Sequence, residues 1–174
     1  MNKDDQLIRL SGIIYESLVN GPGMRRVFFS QGCSHNCKGC FNTHTHSFNG
    51  GELFNINELV NDIVNNPIIK GITFSGGDPF EQSEAFSILA KQLKDHHYNI
   101  WSYSGYTFEE ILNISEEKKS FKELLNNIDV LVDGLFVEDL KDTSLKFRGS
   151  SNQRIIDVKR SLELNRVVDI TEKY

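Results

Sequence analysis

Apolar positions along this chain follow two alternating rhythms. Short runs rich in β-branched and aromatic residues occur at 24–31 (MRRVFFSQ), 71–76 (GITFSG), 99–105 (NIWSYSG) and 128–134 (IDVLVDG). Each ends in glycine or a polar cluster, and each reads as a β-strand. Between them, residues 56–66, 80–97, 108–114 and 121–127 carry apolar side chains at the i, i+3, i+4 spacing of amphipathic helices. Leu59, Val60, Ile63 and Val64 share one face of the first, and Phe86, Leu89, Ala90 and Leu93 one face of the second. Strand alternating with helix predicts an α/β fold with a mostly parallel sheet and right-handed crossovers. Four clear β/α units are too few for a closed eight-fold barrel of about 250 residues, so the expectation is a partial, open (β/α) barrel. After Glu138 the pattern fades, and 166–170 (RVVDI) predicts one last strand.

No repeat, low-complexity tract or linker interrupts the chain, and residues 1–174 are expected to form a single domain. Three predicted strands run into polar, glycine-containing loops, SGGDP, YSGYT and VDGLF. In parallel α/β folds ligands collect at the carboxyl ends of the strands, so these loops mark one face as a site.

Charge narrows the class of partner. The net charge of −5 argues against a nucleic-acid or membrane-surface binder, which needs a positive field to meet phosphates. No apolar run approaches the roughly 18 residues of a membrane span. The segment MNKDDQLIRL lacks the apolar core and cleavage site of a secretory signal, so a cytoplasmic location with reduced thiols is expected.

All three cysteines lie within eight positions, spaced Cys33-x3-Cys37-x2-Cys40. An odd count in a reducing compartment points away from disulfides and towards a metal or catalytic site. Thiolates are soft ligands that suit iron–sulfur clusters, zinc and copper(I). Gly32 and Gly39 permit tight turns and close backbone approach. A four-iron cluster held by three cysteines leaves one iron open to a substrate, as catalytic metals generally do. Two other readings use the same residues: a Cys3His zinc site with His35, His44 or His46 as the fourth ligand, and three structural thiols without metal. Histidines in such a polar loop are ordinarily solvated, and none of the three is assigned a ligand role.

The Cys-x3-Cys-x2-Cys spacing resembles the signature of the radical S-adenosylmethionine (SAM) superfamily. Within it the chain resembles the activating enzymes of anaerobic (class III) ribonucleoside-triphosphate reductases. The likeness is carried by NGPGMR (20–25), GCSHNCKGCFN (32–42), TFSGGDPF (73–80), WSYSGYTFEE (101–110), DVLVDGLF (129–136) and FRGSSNQRIIDV (147–158). It implies a 4Fe-4S cluster on Cys33, Cys37 and Cys40 that binds SAM at its open iron. It further implies reductive cleavage of SAM to methionine and a 5′-deoxyadenosyl radical, which takes a hydrogen atom from a glycine of the reductase. A low cluster potential follows, and with it a flavodoxin-like electron donor. Many superfamily members carry an aromatic residue before the third cysteine; here Gly39 stands there and Phe41 follows. With that departure the resemblance leaves two kinds of adenine contact open, one from the backbone of Gly39 or Cys40 and one from the ring of Phe41.

The loop Gly76-Gly77-Asp78-Pro79 has a local explanation as well. Asp78 suits a helix N-cap, Pro79 the first helical position, and Glu81 the far corner of a capping box. The resemblance adds that Gly76, Gly77 and Asp78 hold the amino group of SAM, which needs carbonyl and carboxylate acceptors. Thr107 and Glu110 form a second capping-box pattern, and Ser104 and Gly105 before it are candidates to line the site. Asp133 is either a turn residue or a carboxylate that orders SAM or a cation. Arg25 and Arg26 are expected in solvent, and residues 148–154 read as a loop. Readings from other classes are another radical SAM enzyme, an iron–sulfur electron carrier, and a zinc-stabilised binding module.

Overall fold

The computed structural model describes residues 6–174; residues 1–5, part of the N-terminal stretch read above for a secretory signal, lie outside it. Seven strands form one sheet in the order β3-β1-β2-β4-β5-β6-β7. They are β1 (Leu7–Ser17), β2 (Arg25–Ser30), β3 (Glu52–Asn55), β4 (Gly71–Gly76), β5 (Asn99–Tyr103), β6 (Val130–Asp133) and β7 (Arg154–Asp157). The central run β2-β4-β5-β6 is parallel. The flanking pairings β1–β2, β1–β3 and β6–β7 are antiparallel. Two edges, β3 and β7, remain, so the sheet is open.

The first four predicted strands are the four parallel ones. Their near-continuous apolar runs reflect burial on both faces, the usual condition of parallel strands. Phe28, Ile72, Phe74, Ile100 and Leu131 face a layer of helices: α1 (Ile56–Val64), α2 (Ser83–Asp95), α3 (Phe108–Ile114), α4 (Lys119–Asn126) and α5 (Val158–Leu164). On α2 the expected face of Phe86, Leu89, Ala90 and Leu93 is fully buried. On α1 it is Ile56, Leu59, Val60 and Ile63 that go inward, while Val64 is exposed at the helix end. The opposite face of the sheet carries a smaller cluster of Trp101, Val130, Val132, Ile155, Val168 and Ile170.

The expected final strand at 166–170 is not one. It makes a single bridge, Ile156 to Asp169, and contributes Val168 and Ile170 to the small cluster. The arginines also depart from expectation. Arg25 and Arg26 are 1% and 2% exposed. Arg25 donates to Thr73 Oγ1, the carbonyls of Pro22, Ile72 and Asn99, and Asn99 Oδ1, with its guanidinium over the Trp101 ring. Among the described residues no carboxylate bonds to it, and burial pulls its pKa down to about 10. Arg26 pairs with Asp62 and lies over Tyr15. For Arg25 a planar fork of five donors makes such burial possible, because each N–H finds an acceptor.

Candidate metal centre

The loop that leaves β2 carries the three cysteines and is fastened where it begins. Gly32 N donates to Thr45 O at 2.7 Å and Cys33 N to His46 O at 3.2 Å. The same exit is bound to the exit of β4, through Gly77 N to Ser30 O at 2.8 Å and Asp78 N to Gly32 O at 2.9 Å. This junction accounts for Gly76 and Gly77 independently of any ligand. A Cβ on Gly76 would stand 2.6 Å from Ser30 N, and one on Gly77 would stand 2.3 Å from Gly32 O.

Cys33, Cys37 and Cys40 line one cavity of about 220 Å³. The carboxyl ends of four parallel strands supply much of its wall: the loop after β2, Gly76 and Gly77 after β4, Ser104 and Gly105 after β5, and Gly134 and Phe136 after β6, with Gly149 and Gln153 on the far side. Phe41 stands at its side, ring against Phe136 at 5.0 Å and beneath Lys141. Gly39 is not in the wall. Its φ of +71° turns the loop, and the side chain of Glu138 fills the space a Cβ would take.

The thiols are free and half-buried. Burial pushes Cys33 up to about 11, against the pull of the His35 and Asn36 amides and with the charge of Asp78 adding to the rise. Burial raises Cys37 likewise, opposed by the Phe136 amide. Asn42 N donates to Cys40 Sγ at 3.4 Å. Each sulfur therefore has a backbone amide beside it, an arrangement that suits a thiolate on a metal, whose positive charge removes the proton. Among the described residues, no three His, Cys, Asp or Glu side chains converge closely enough to hold one metal ion. The donor set fits a multi-iron cluster better than a single ion, because three separated sulfurs can each meet a different iron.

Asp78 is brought to the site but not to its surface. It is fully buried. Its Oδ1 caps Phe80 N at 2.9 Å, as expected of an N-cap. Its Oδ2 accepts from Ser104 Oγ at 2.8 Å and Gly105 N at 2.9 Å, and meets His35 Nε2 at 2.7 Å. The capping box stays incomplete there, because the Glu81 carboxylate turns to Ser34 and Tyr106. At Thr107 the box is complete. His35 is thus drawn inward rather than solvated. Burial alone pulls its pKa down, but the hydrogen bond and charge of Asp78, with Glu81 and Glu110, outweigh that and leave it raised.

Sequence reasoning gave no role to Tyr103 and Asn42, which line the cavity together with His46, a residue weighed only as a zinc ligand. Burial holds the Tyr103 phenol well above its usual pKa, hence neutral. The alternation of β5, with Trp101 and Tyr103 on the face opposite Ile100, is the signal that could have found Tyr103.

Residues 148–154 knit the far wall. The Gln153 amide accepts from Gly149 N and Ser150 N and donates to Gly134 O. Asp133, the carboxylate read as a possible cation partner, meets a cation of the chain itself. Arg154 donates to both of its oxygens and also to Glu109, and these carboxylates hold the guanidinium pKa well above normal. Replacing Arg154 with methionine leaves Asp133, 1% exposed, with the Phe108 amide as the one partner of its side chain among the described residues. The expected loss is about 3 kcal/mol of stability, read by urea unfolding.

The profile of the 4Fe-4S single cluster domain family matches residues 19–156. Three curated relatives carry the name anaerobic ribonucleoside-triphosphate reductase-activating protein. That of Escherichia coli K12 is 40% identical over 144 residues, covering 78% of this chain and 90% of its own length. That of Enterobacteria phage T4 is 38% identical, covering 79% and 86%. That of Haemophilus influenzae is 36% identical, covering 79% and 90%. The fold and the cysteine-lined cavity thus define an iron–sulfur protein of the 4Fe-4S single-cluster class. Within that class, the chain belongs to the anaerobic ribonucleoside-triphosphate reductase-activating protein family.

Proposed function

We propose that this chain is the activating enzyme of an anaerobic ribonucleoside-triphosphate reductase, with a 4Fe-4S cluster on Cys33, Cys37 and Cys40 and SAM in the adjoining cavity. The observation that carries the reading is the convergence of all three thiols on the cavity at the carboxyl ends of four parallel strands. When bound, a reduced cluster of this kind supplies the electron that cleaves the sulfonium of SAM, the source of the radical that leaves a glycyl radical on the reductase.

The chain's own residues prepare that chemistry. The backbone of Gly76 and Gly77 offers acceptors for the amino group of SAM, with Asp78 lending its charge from beneath rather than by contact. Phe41, with the backbone of Cys40, takes the adenine, while Gly39, outside the wall, shapes the turn that presents them. Tyr103 stays neutral and adds no competing charge. Glycines 105, 134 and 149 keep the wall low, which suits a substrate that is itself a stretch of backbone. The open sheet is read as a partial barrel of the radical SAM type, whose unclosed side admits a loop of the reductase. A flavodoxin-like donor and a cytoplasmic setting complete the picture; among the described residues no helix is long and apolar enough to cross a membrane.

The test is anaerobic reconstitution with iron and sulfide, then chemical reduction with SAM, with and without the reductase. The expected results are 5′-deoxyadenosine and a glycyl EPR doublet that needs the reductase. A brown protein that leaves SAM intact would instead be an electron carrier, and a colourless one that retains zinc a binding module.

A further inference from the structure

We infer that His35 is a positioning residue, which clamps the cysteine loop through Asp78 to the ends of β4 and β5 and so governs how firmly the cluster is held. The inference rests on the reading of Cys33, Cys37 and Cys40 as cluster ligands. His35 lies between the first two of them in sequence, yet its ring leaves the loop and turns inward. Its side chain is 12% exposed and its Nε2 lies 2.7 Å from Asp78 Oδ2. The ring stands edge-on to Tyr106 with centroids 4.4 Å apart. A Cβ on Gly105 would stand 2.4 Å from His35 Cδ2, so only glycine at 105 admits the ring.

Asp78 is the fixed end of this clamp. Two backbone amides, a serine hydroxyl and the imidazole engage its two oxygens. Oδ2 takes three of these partners and Oδ1 one. Fully buried and outside the cavity wall, Asp78 reaches the site through His35. The loop has a second tie in Ser34 to Glu81, but Ser34 is exposed and water competes for it. On the far side, Lys38 to Glu138 is a surface pair. The His35–Asp78 contact is therefore the buried anchor of the segment between Cys33 and Cys37. The same segment aims the His35 and Asn36 amides at the Cys33 sulfur. Holding it fixes both ligand spacing and N–H···S contacts, and the latter tune cluster potential.

The experiment compares reconstituted wild type, His35→Ala, His35→Gln, Gly105→Ala and the His35→Ala/Gly105→Ala double variant. Iron release to a chelator and the cluster midpoint potential are the readouts. His35→Ala and Gly105→Ala are expected to release iron about tenfold faster, the loss typical when a group that orients a metal ligand is removed. Both should shift the potential. His35→Gln, which keeps an N–H donor, should restore most of the wild-type behaviour. The double variant should release iron no faster than His35→Ala, since both changes break one contact. Wild-type release and potential in His35→Ala would overturn the clamp, as would additive effects in the double variant. If His35→Ala does not fold, Gly105→Ala against His35→Gln decides the matter by the same two readouts. Failure of the wild type to take up iron would sink the cluster reading and the clamp together; a loaded wild type with insensitive variants would sink the clamp alone.

Discussion

A Cys37→Ala variant should fold as the wild type does and produce no 5′-deoxyadenosine above background. Cys37 is half-buried in the wall of the cavity and belongs to neither apolar cluster. Removing one sulfur there costs about 1 kcal/mol of stability or less. For catalysis the loss is not graded. On the proposed assignment, two remaining thiolates would be too few to hold a four-iron cluster that has no fourth protein ligand. Turnover should fall by more than about a thousandfold, equivalent to ~4 kcal/mol of transition-state stabilisation. Iron and sulfide content, product formation and thermal melting measured on one preparation separate loss of the cluster from loss of the fold. Retained SAM cleavage would remove Cys37 from the ligand set.

Gly77→Ala should damage both fold and site without touching a ligand. The new methyl would sit 2.3 Å from Gly32 O, 2.9 Å from Gly32 C and 3.1 Å from Ser30 O, all backbone atoms. Gly32 cannot move aside freely. Its own φ is +100°, and its amide and carbonyl are both bonded, to Thr45 and Asp78. Overpacking of this kind typically costs 1–3 kcal/mol, and rigid backbone on the opposing side puts the expected loss at about 3 kcal/mol. The strain falls on the residue next to Cys33, so iron uptake should drop as well. Gly12→Ala is the matched control. Nothing lies within 4 Å of the Cβ it would add, and its unfolding free energy should stay within about 1 kcal/mol of wild type. Equal losses at the two positions would mean that helix and strand propensity, rather than the β2–β4 junction, sets the cost.

The centre of the fold is legible in the sequence, and its margins are not. Parallel strands buried on both faces announce themselves as unbroken apolar runs, and the helices between them keep a clear periodicity. The antiparallel margins lack such signals. In β1, Ile8 and Leu10 point inward, but a register shift between Leu10 and Gly12 breaks the alternation. β3 has four residues, none of them fully buried. In β7, Ile155 and Ile156 serve opposite faces, which leaves two adjacent isoleucines without a visible period.

For the site, the spacing of the cysteines and the glycines at the strand ends carry much of the information, because loop chemistry is local. Burial is not local. Nothing near Arg25 in the sequence tells that carbonyls 47 and 74 positions away will accept from it. Likewise the four partners of Asp78 come from three separate loops, so its capping role is visible beforehand and its burial among them is not.

The burial of Asp78 bears on which elements can settle in the cavity by mistake. Among the described residues, no aspartate or glutamate lines its wall. Hard cations such as magnesium and calcium, which seek several carboxylate oxygens, therefore find no foothold, whatever their abundance. Competition for the pocket narrows to thiophilic metals, and the hazard to guard against during iron loading is zinc or copper(I).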